Sequence, residues 1–398
     1  MKTRFWGLAC GLALLAGAVT AAPRDAAIEL GEGLLMTPAL DVDFEYDDNI
    51  FRSSDDEKGS FITRVAPSLE WEVRQEWARF TFGYAGDYGF FSNSSDDNYD
   101  NHALRADVGF EGAGADLNVY GSFAASHDPR GTGPADGLGD EVSRDVFTSP
   151  TEFDEWGWGT HVVFRGSRTE LRAGYSYLDK EYQNFRAFTR PRDRSTDRFS
   201  VGVTYAMTDE ASAVANASRS KIDYDFAEAG MPSLDSDQDR LTAGLEWELT
   251  DRTSGSVHLG WEWKDFDDSA RAKVDGFTWE AEISWAPRTD STFSLSTESR
   301  FMETDNVGSA KDTSSVGVLW SHDWSDRLTV NTGFDFVRED YEDFDRKDDF
   351  YRFSLGFDYN LRRWMTLAGG VRINSRDSNV AAAVYDRNIV FLRAMMSL

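Results

Sequence analysis

Apolar and polar residues alternate along most of this chain. Leu40, Val42, Phe44 and Tyr46 interleave with Asp41, Asp43 and Glu45. A period of two gives a β-strand with one apolar and one charged face. The pattern returns at Val65, Pro67, Leu69, Trp71 and Val73, and again at Phe80, Phe82, Tyr84 and Tyr88. It continues through 104–110, 117–123, 156–164, 171–177, 199–205, 211–217, 241–249, 257–263, 277–285, 293–301, 316–324, 328–336, 351–361, 365–373 and 390–398. This predicts eighteen strands over 40–398, with no helical pattern between them.

The connections alternate in length. Tight ones such as Gly112-Ala113-Gly114 and Thr208-Asp209-Glu210 follow every second strand. The others are long and rich in Asp, Ser, Asn and Gly: 47–60, 92–100, 128–155, 183–196, 225–239, 267–274, 304–311, 342–348 and 378–386. Short turns at one end and long loops at the other are the layout of an all-β, antiparallel, up-and-down outer-membrane barrel. Both termini then lie at the short-turn end.

A soluble β-sandwich shows the same alternation, so other features decide. Within these strand limits the apolar parity carries no Asp, Glu, Lys or Arg. At the tight-turn end that parity finishes in Trp71, Phe110, Phe164, Tyr205, Trp247, Trp285, Trp324 and Tyr359. Amphipathic rings belong at a lipid–water boundary, whereas a packed core does not require them at strand ends. The chain also stops on a strand, as expected when the last strand closes against the first. Closure removes the edge groups that hydrocarbon would leave unsatisfied. A barrel of this size encloses an aqueous lumen.

The first residues read as an export signal. Lys2 and Arg4 precede the apolar run 5–19, and Val19-Thr20-Ala21 offers small residues for cleavage after Ala21. Residues 22–39 then form a short periplasmic segment, too small for a plug. Cys10 is the one cysteine and falls inside the signal, so disulfides and thiolate chemistry are excluded from the mature chain. Its surroundings match a lipoprotein signal poorly. The net charge of −29 argues against a nucleic-acid partner.

Parity assigns the lumen-lining candidates. They are Arg64, Arg79, Arg105, Arg165, Arg172, Arg198, Arg352, Arg372 and Arg393, with Glu246, Glu280 and Glu282. Acidic groups outnumber basic ones on this face, which predicts a solvated, salt-bridged wall rather than an anion-selective one. The fourth outer loop interleaves rings and cations at Phe185, Arg186, Phe188, Arg190, Arg192 and Arg194. Such a patch can stack on sugars and hold carboxylates, or simply meet lipopolysaccharide phosphates. By analogy with porins, the longest loop, 128–155, is a candidate to fold inward and narrow the pore.

Catalytic and metal signatures are weak. Asp235-x-Asp237-x-Asp239 mimics a calcium loop, but Arg240 stands where glycine is needed and the flanks are strands. Scattered histidines and a lone Ser256/His258 pair make neither a metal site nor a hydrolase. No cofactor and no enzymatic activity are expected.

The stretch 40–53, LDVDFEYDDNIFRS, followed by Val65-Ala66-Pro67, resembles the opening of the outer-membrane β-barrel porin type 2 family. The hairpin around 241–261 resembles that family's mid-barrel repeats. The resemblance covers most of 40–398. It implies an outer-membrane location in a Gram-negative cell and a link to exopolysaccharide export, and it supplies no catalytic residues. The expected function is a passive conduit for secreted exopolysaccharide or capsular polysaccharide. A general diffusion porin for small hydrophilic solutes is the alternative, and a structural or adhesive barrel is a third. The implied partners are outer-membrane lipid and lipopolysaccharide, the barrel insertion machinery, polysaccharide and periplasmic export components.

Overall fold

The computed structural model describes residues 27–31, 33–138, 145–227, 230–250 and 252–397. The signal, its cleavage after Ala21, Cys10 and Leu398 lie outside the described residues.

Nineteen strands form one sheet. They are β1 Ile28–Gly31, β2 Leu34–Asp47, β3 Ser60–Arg74, β4 Ala78–Phe91, β5 Tyr99–Glu111, β6 Ala115–Asp128, β7 Thr151–Arg165, β8 Thr169–Tyr182, β9 Arg194–Ala206 and β10 Ala211–Tyr224. The rest are β11 Ser236–Thr250, β12 Thr253–Phe266, β13 Val274–Arg288, β14 Ser291–Met302, β15 Lys311–Ser325, β16 Leu328–Tyr341, β17 Lys347–Arg362, β18 Met365–Ser378 and β19 Tyr385–Ser397. Each of β2–β19 pairs antiparallel with its sequence neighbours. β19 then pairs with β2, from Ile389↔Asp47 to Ser397↔Ala39. The eighteen-stranded barrel is therefore closed, and the expected architecture is the observed one. No helix among the described residues is long and apolar enough to cross a membrane.

The two parities face opposite media. The apolar parity is open on the outside: Phe61 is 65% and Leu392 60% exposed. The polar parity points inward, where Asp43 and Lys264 are both 0% exposed. Burying these polar groups is tolerable because each finds an oppositely charged partner. The tight-turn end carries the expected rings, with Phe164, Tyr205, Trp285 and Trp324 exposed and Trp77 stacked on Phe110.

The strands run longer than the apolar pattern indicates. β2 begins at Leu34, so the last six residues of the expected periplasmic segment 22–39 belong to the barrel wall. β1 extends it further by pairing with β2. At the other end β10, β11, β16 and β17 continue past the apolar zone. Their outward face there is charged, with Arg219 2.6 Å from Asp237 and Arg338 2.7 Å from Asp349. Apolar periodicity reports only the part of a strand that meets hydrocarbon, and the ladder carries on into water. For the same reason Asp237 and Asp239 lie on a strand, both facing Arg219, rather than in a calcium loop.

Candidate functional site: the lumen and its outer mouth

The wall candidates pair across neighbouring strands. Arg64 grips Asp87 with two bonds of 2.5 and 2.9 Å and lies 3.5 Å from Asp43, which Arg393 also binds. This chain links β19, β2, β3 and β4, so it straddles the closure seam. Arg372 stands 4.0 Å from Glu45 and over the Phe391 ring. Nearer the tight turns, Arg79 meets Glu72 at 2.6 Å, and Arg165 lies between Asp116 and Glu170. Arg105 is 3.8 Å from Asp107. Arg172 reaches Glu170 at 3.5 Å and donates to Thr204, and Arg198 donates to Ser218. Arg352 lies over Phe350. On the acidic side Glu246 faces His258 at 3.5 Å and Glu280 faces Arg240 at 3.9 Å. Glu280 and Glu282 are both exposed on β13.

The outer mouth is built differently, by strands that leave the ladder. The β5–β6 register ends at His102↔Ala125, yet β6 continues to Asp128. The β13–β14 register ends at Trp279↔Ser299, yet β13 starts at Val274 and β14 runs to Met302. The freed end of β14 bonds to strands beyond its neighbour. Phe301 N donates to Glu262 on β12, and Gln238 on β11 donates to the Phe301 carbonyl. Backbone groups that lose a ladder partner must find another, and here they find it on the lumen face. Both hairpin ends therefore lean inward, carrying residues 129–138 and 303–310 over the lumen.

Buried ion pairs hold the two loops there. Asp136 of the first loop accepts from Arg346 at 2.7 Å and from Arg376 at 2.6 Å. Arg346 also binds Asp348 at 2.6 Å. In the second loop, Glu303 takes Lys264 of β12 and the Tyr224 hydroxyl of β10. Asp305 takes Arg194 at 3.0 Å and lies 3.6 Å from Lys180, on the far wall. The loops meet each other where Asn306 donates to the Asp136 carbonyl at 2.6 Å. Burial alone would raise the Asp136 carboxyl; the Arg376 and Arg346 guanidiniums outweigh it and hold the group below the usual carboxylate range. The same balance, with Lys180 and Arg194 prevailing, keeps Asp305 ionised, and Lys264 does so for Glu303.

The fourth loop does not present its six expected residues as one outer patch. Phe185 and Phe188 pack on the buried Phe147. Arg186 is committed to Asp193 at 2.6 Å, and Arg190 lies over the Phe226 ring. Arg192 donates to Thr304 and Asn306, and Arg194 binds Asp305. These last two point into the mouth, because the acidic loop 303–310 arrives beneath them. Phe188 and Arg190 remain exposed. Sequence reasoning missed Asp136, Glu303, Asp305, Arg346 and Arg376. One signal was available in the close spacing of Gly131, Gly133 and Gly137, which the structure explains by the positive φ of all three in a tightly packed loop.

Comparisons with known proteins agree with this architecture. The family described as "Putative beta-barrel porin 2" matches residues 28–397. No curated protein matches the chain in sequence. Among solved structures, OccAB3 of Acinetobacter baumannii superposes with a TM-score of 0.51 at 12% identity, covering 92% of this chain and 99% of that one. OprD of Pseudomonas aeruginosa gives 0.50 at 13% identity, covering 96% and 97%. OpdK of the same organism, solved with vanillate, gives 0.50 at 13%, covering 91% and 99%. These likenesses establish a shared fold.

Proposed function

Since the chain belongs to the family Putative beta-barrel porin 2 and is an outer-membrane β-barrel porin, we propose that it is a diffusion pore for small hydrophilic solutes. One observation carries this reading: residues 129–138 and 303–310 meet over the lumen at Asn306 and Asp136. A hydrated polysaccharide would need both loops to leave. Leaving would break the Asp136–Arg346–Arg376 and Asp305–Arg194 pairs, in which Arg346 and Arg376 are buried and the other groups half-buried. Separating one partner from a buried pair costs about 3–5 kcal/mol. Only solutes small enough to slip beside the loops are spared that rearrangement. The lumen wall supports their passage because ion-paired side chains exchange hydrogen bonds with solutes at little net cost.

The test is reconstitution. Proteoliposomes should swell in pentoses and hexoses, with rates falling steeply for trisaccharides, and planar bilayers should show discrete channels. Equal flux of a long dextran would favour the polysaccharide conduit. Absence of conductance would leave a structural barrel.

A further inference from the structure

We infer that the lumen wall between β2 and β6 contains a subsite for small hydroxylated amines, with Asp41 as the charge partner. The inference deepens the small-solute reading and rests on it.

The wall is dented there for a reason visible in the register. Ser68, Ala85, Ala103 and Ala124 are successive partners on one row, through Ser68↔Ala85, Ala85↔Ala103 and Ala103↔Ala124. The row above holds Asp41↔Ala66 and Asp87↔Asn101. Four strands in succession thus present side chains of one or two atoms, where other rows carry Arg, Glu or Tyr. The recess has a volume of about 310 Å³. At ~30 Å³ per water it has room for about ten non-hydrogen atoms.

The polar rim is unevenly compensated. Arg64 is committed to Asp87 through two bonds, and Asp43 is held by Arg393 and Arg64. Asp41 has no hydrogen-bond or ion-pair partner among the described residues, although it lines the same recess. An anionic solute would meet Asp41, while Arg64 is already taken by Asp87, and be repelled. A neutral sugar could bond Asn101, Ser68 and Ser126 yet would leave Asp41 with only the unbonded, shared charges of Arg393 and Arg64 nearby. A protonated amine bearing hydroxyls satisfies both demands, and its C–H face packs on the alanines. Charge-assisted hydrogen bonds are the stronger kind, so Asp41 dominates the preference.

The experiment compares labelled glucosamine and labelled glucose, which are alike in size, entering proteoliposomes of the full-length protein at neutral pH and equal low concentration. Glucosamine should enter roughly twofold to fivefold faster, the advantage that an ion pair at a partly exposed site supports. Asp41→Asn should bring the ratio to one with glucose entry unchanged. Glu280→Gln/Glu282→Gln, on the opposite acidic wall, should keep the ratio. Equal entry in the unmodified protein, an unaltered ratio in Asp41→Asn, or loss of the ratio in the glutamate variant instead would each overturn the subsite. Entry of neither sugar would overturn the pore reading itself.

Discussion

Asp136 ties three outer segments together with one carboxylate. Arg346 and Arg376 are nearly inaccessible to solvent, and Asp136→Ala leaves both of them to share Asp348 as their one carboxylate. The loss of the Asp136 carboxylate removes the tether of residues 129–138, and the simplest relief is for that segment to swing out. We expect single-channel conductance to rise in this variant at neutral pH. Acid should act in the same direction. Asp136, Glu303 and Asp305 all titrate below their ordinary values of 3.8, 4.5 and 3.8. A carboxyl lowered by folding stabilises the closed mouth above its ordinary pKa, and that stabilisation disappears as pH falls through the lowered one. Conductance should therefore stay level from about pH 8 to about pH 4 and climb only in stronger acid.

Two elements decide the shape of the mouth. β14 leaves β13 above Trp279↔Ser299, and its loop is then fixed by Lys264, Tyr224 and Arg194. Replacing 304–309 by a short Gly-Ser turn should enlarge the conductance while leaving the ladder intact. The loop 129–150 is aimed by its stem. Arg130 binds Asp97 and lies over the Phe51 ring, and Gly131 (φ +79°) passes so close to the Phe51 carbonyl that an added Cβ would sit 2.1 Å from that oxygen. Gly131→Ala should therefore displace the stem, at a cost of roughly 1–3 kcal/mol for the backbone alone. Faster proteolysis within 129–150 would record it, with the barrel core still protected.

At the scale of the whole molecule, the inside and outside of the wall obey opposite rules. Leu392→Arg places a charge on the lipid face of the seam strand, where it should cost about 2–4 kcal/mol near the bilayer midplane. Ser354→Arg places the same side chain in the lumen, where its penalty is the smaller one of facing Arg372 across the ladder. Urea titration of the refolded protein in vesicles compares the two. Stripped of detergent, the intact chain should aggregate, since Phe61, Leu392 and their row would face water.

Much of this could be read from the residues alone. The side on which Arg64, Arg372 or Glu280 lies follows from parity, because a strand's period is two and one face must meet hydrocarbon. The strand count, the direction of closure and the ring of Trp and Tyr follow from the same requirement. The loops obey no such period. Arg192 and Arg194 sit in a run that looks like a surface patch, yet they turn inward because an acidic loop more than a hundred residues away lies beneath them. Likewise, no local pattern tells that β6 leaves β5 and β14 leaves β13, or that Asp136 finds Arg376 across the lumen. The hydrophobic effect acts locally enough to be written along a strand. Ion pairing between loops depends on which charges the closed ring brings together, and that is settled only when the ring has closed.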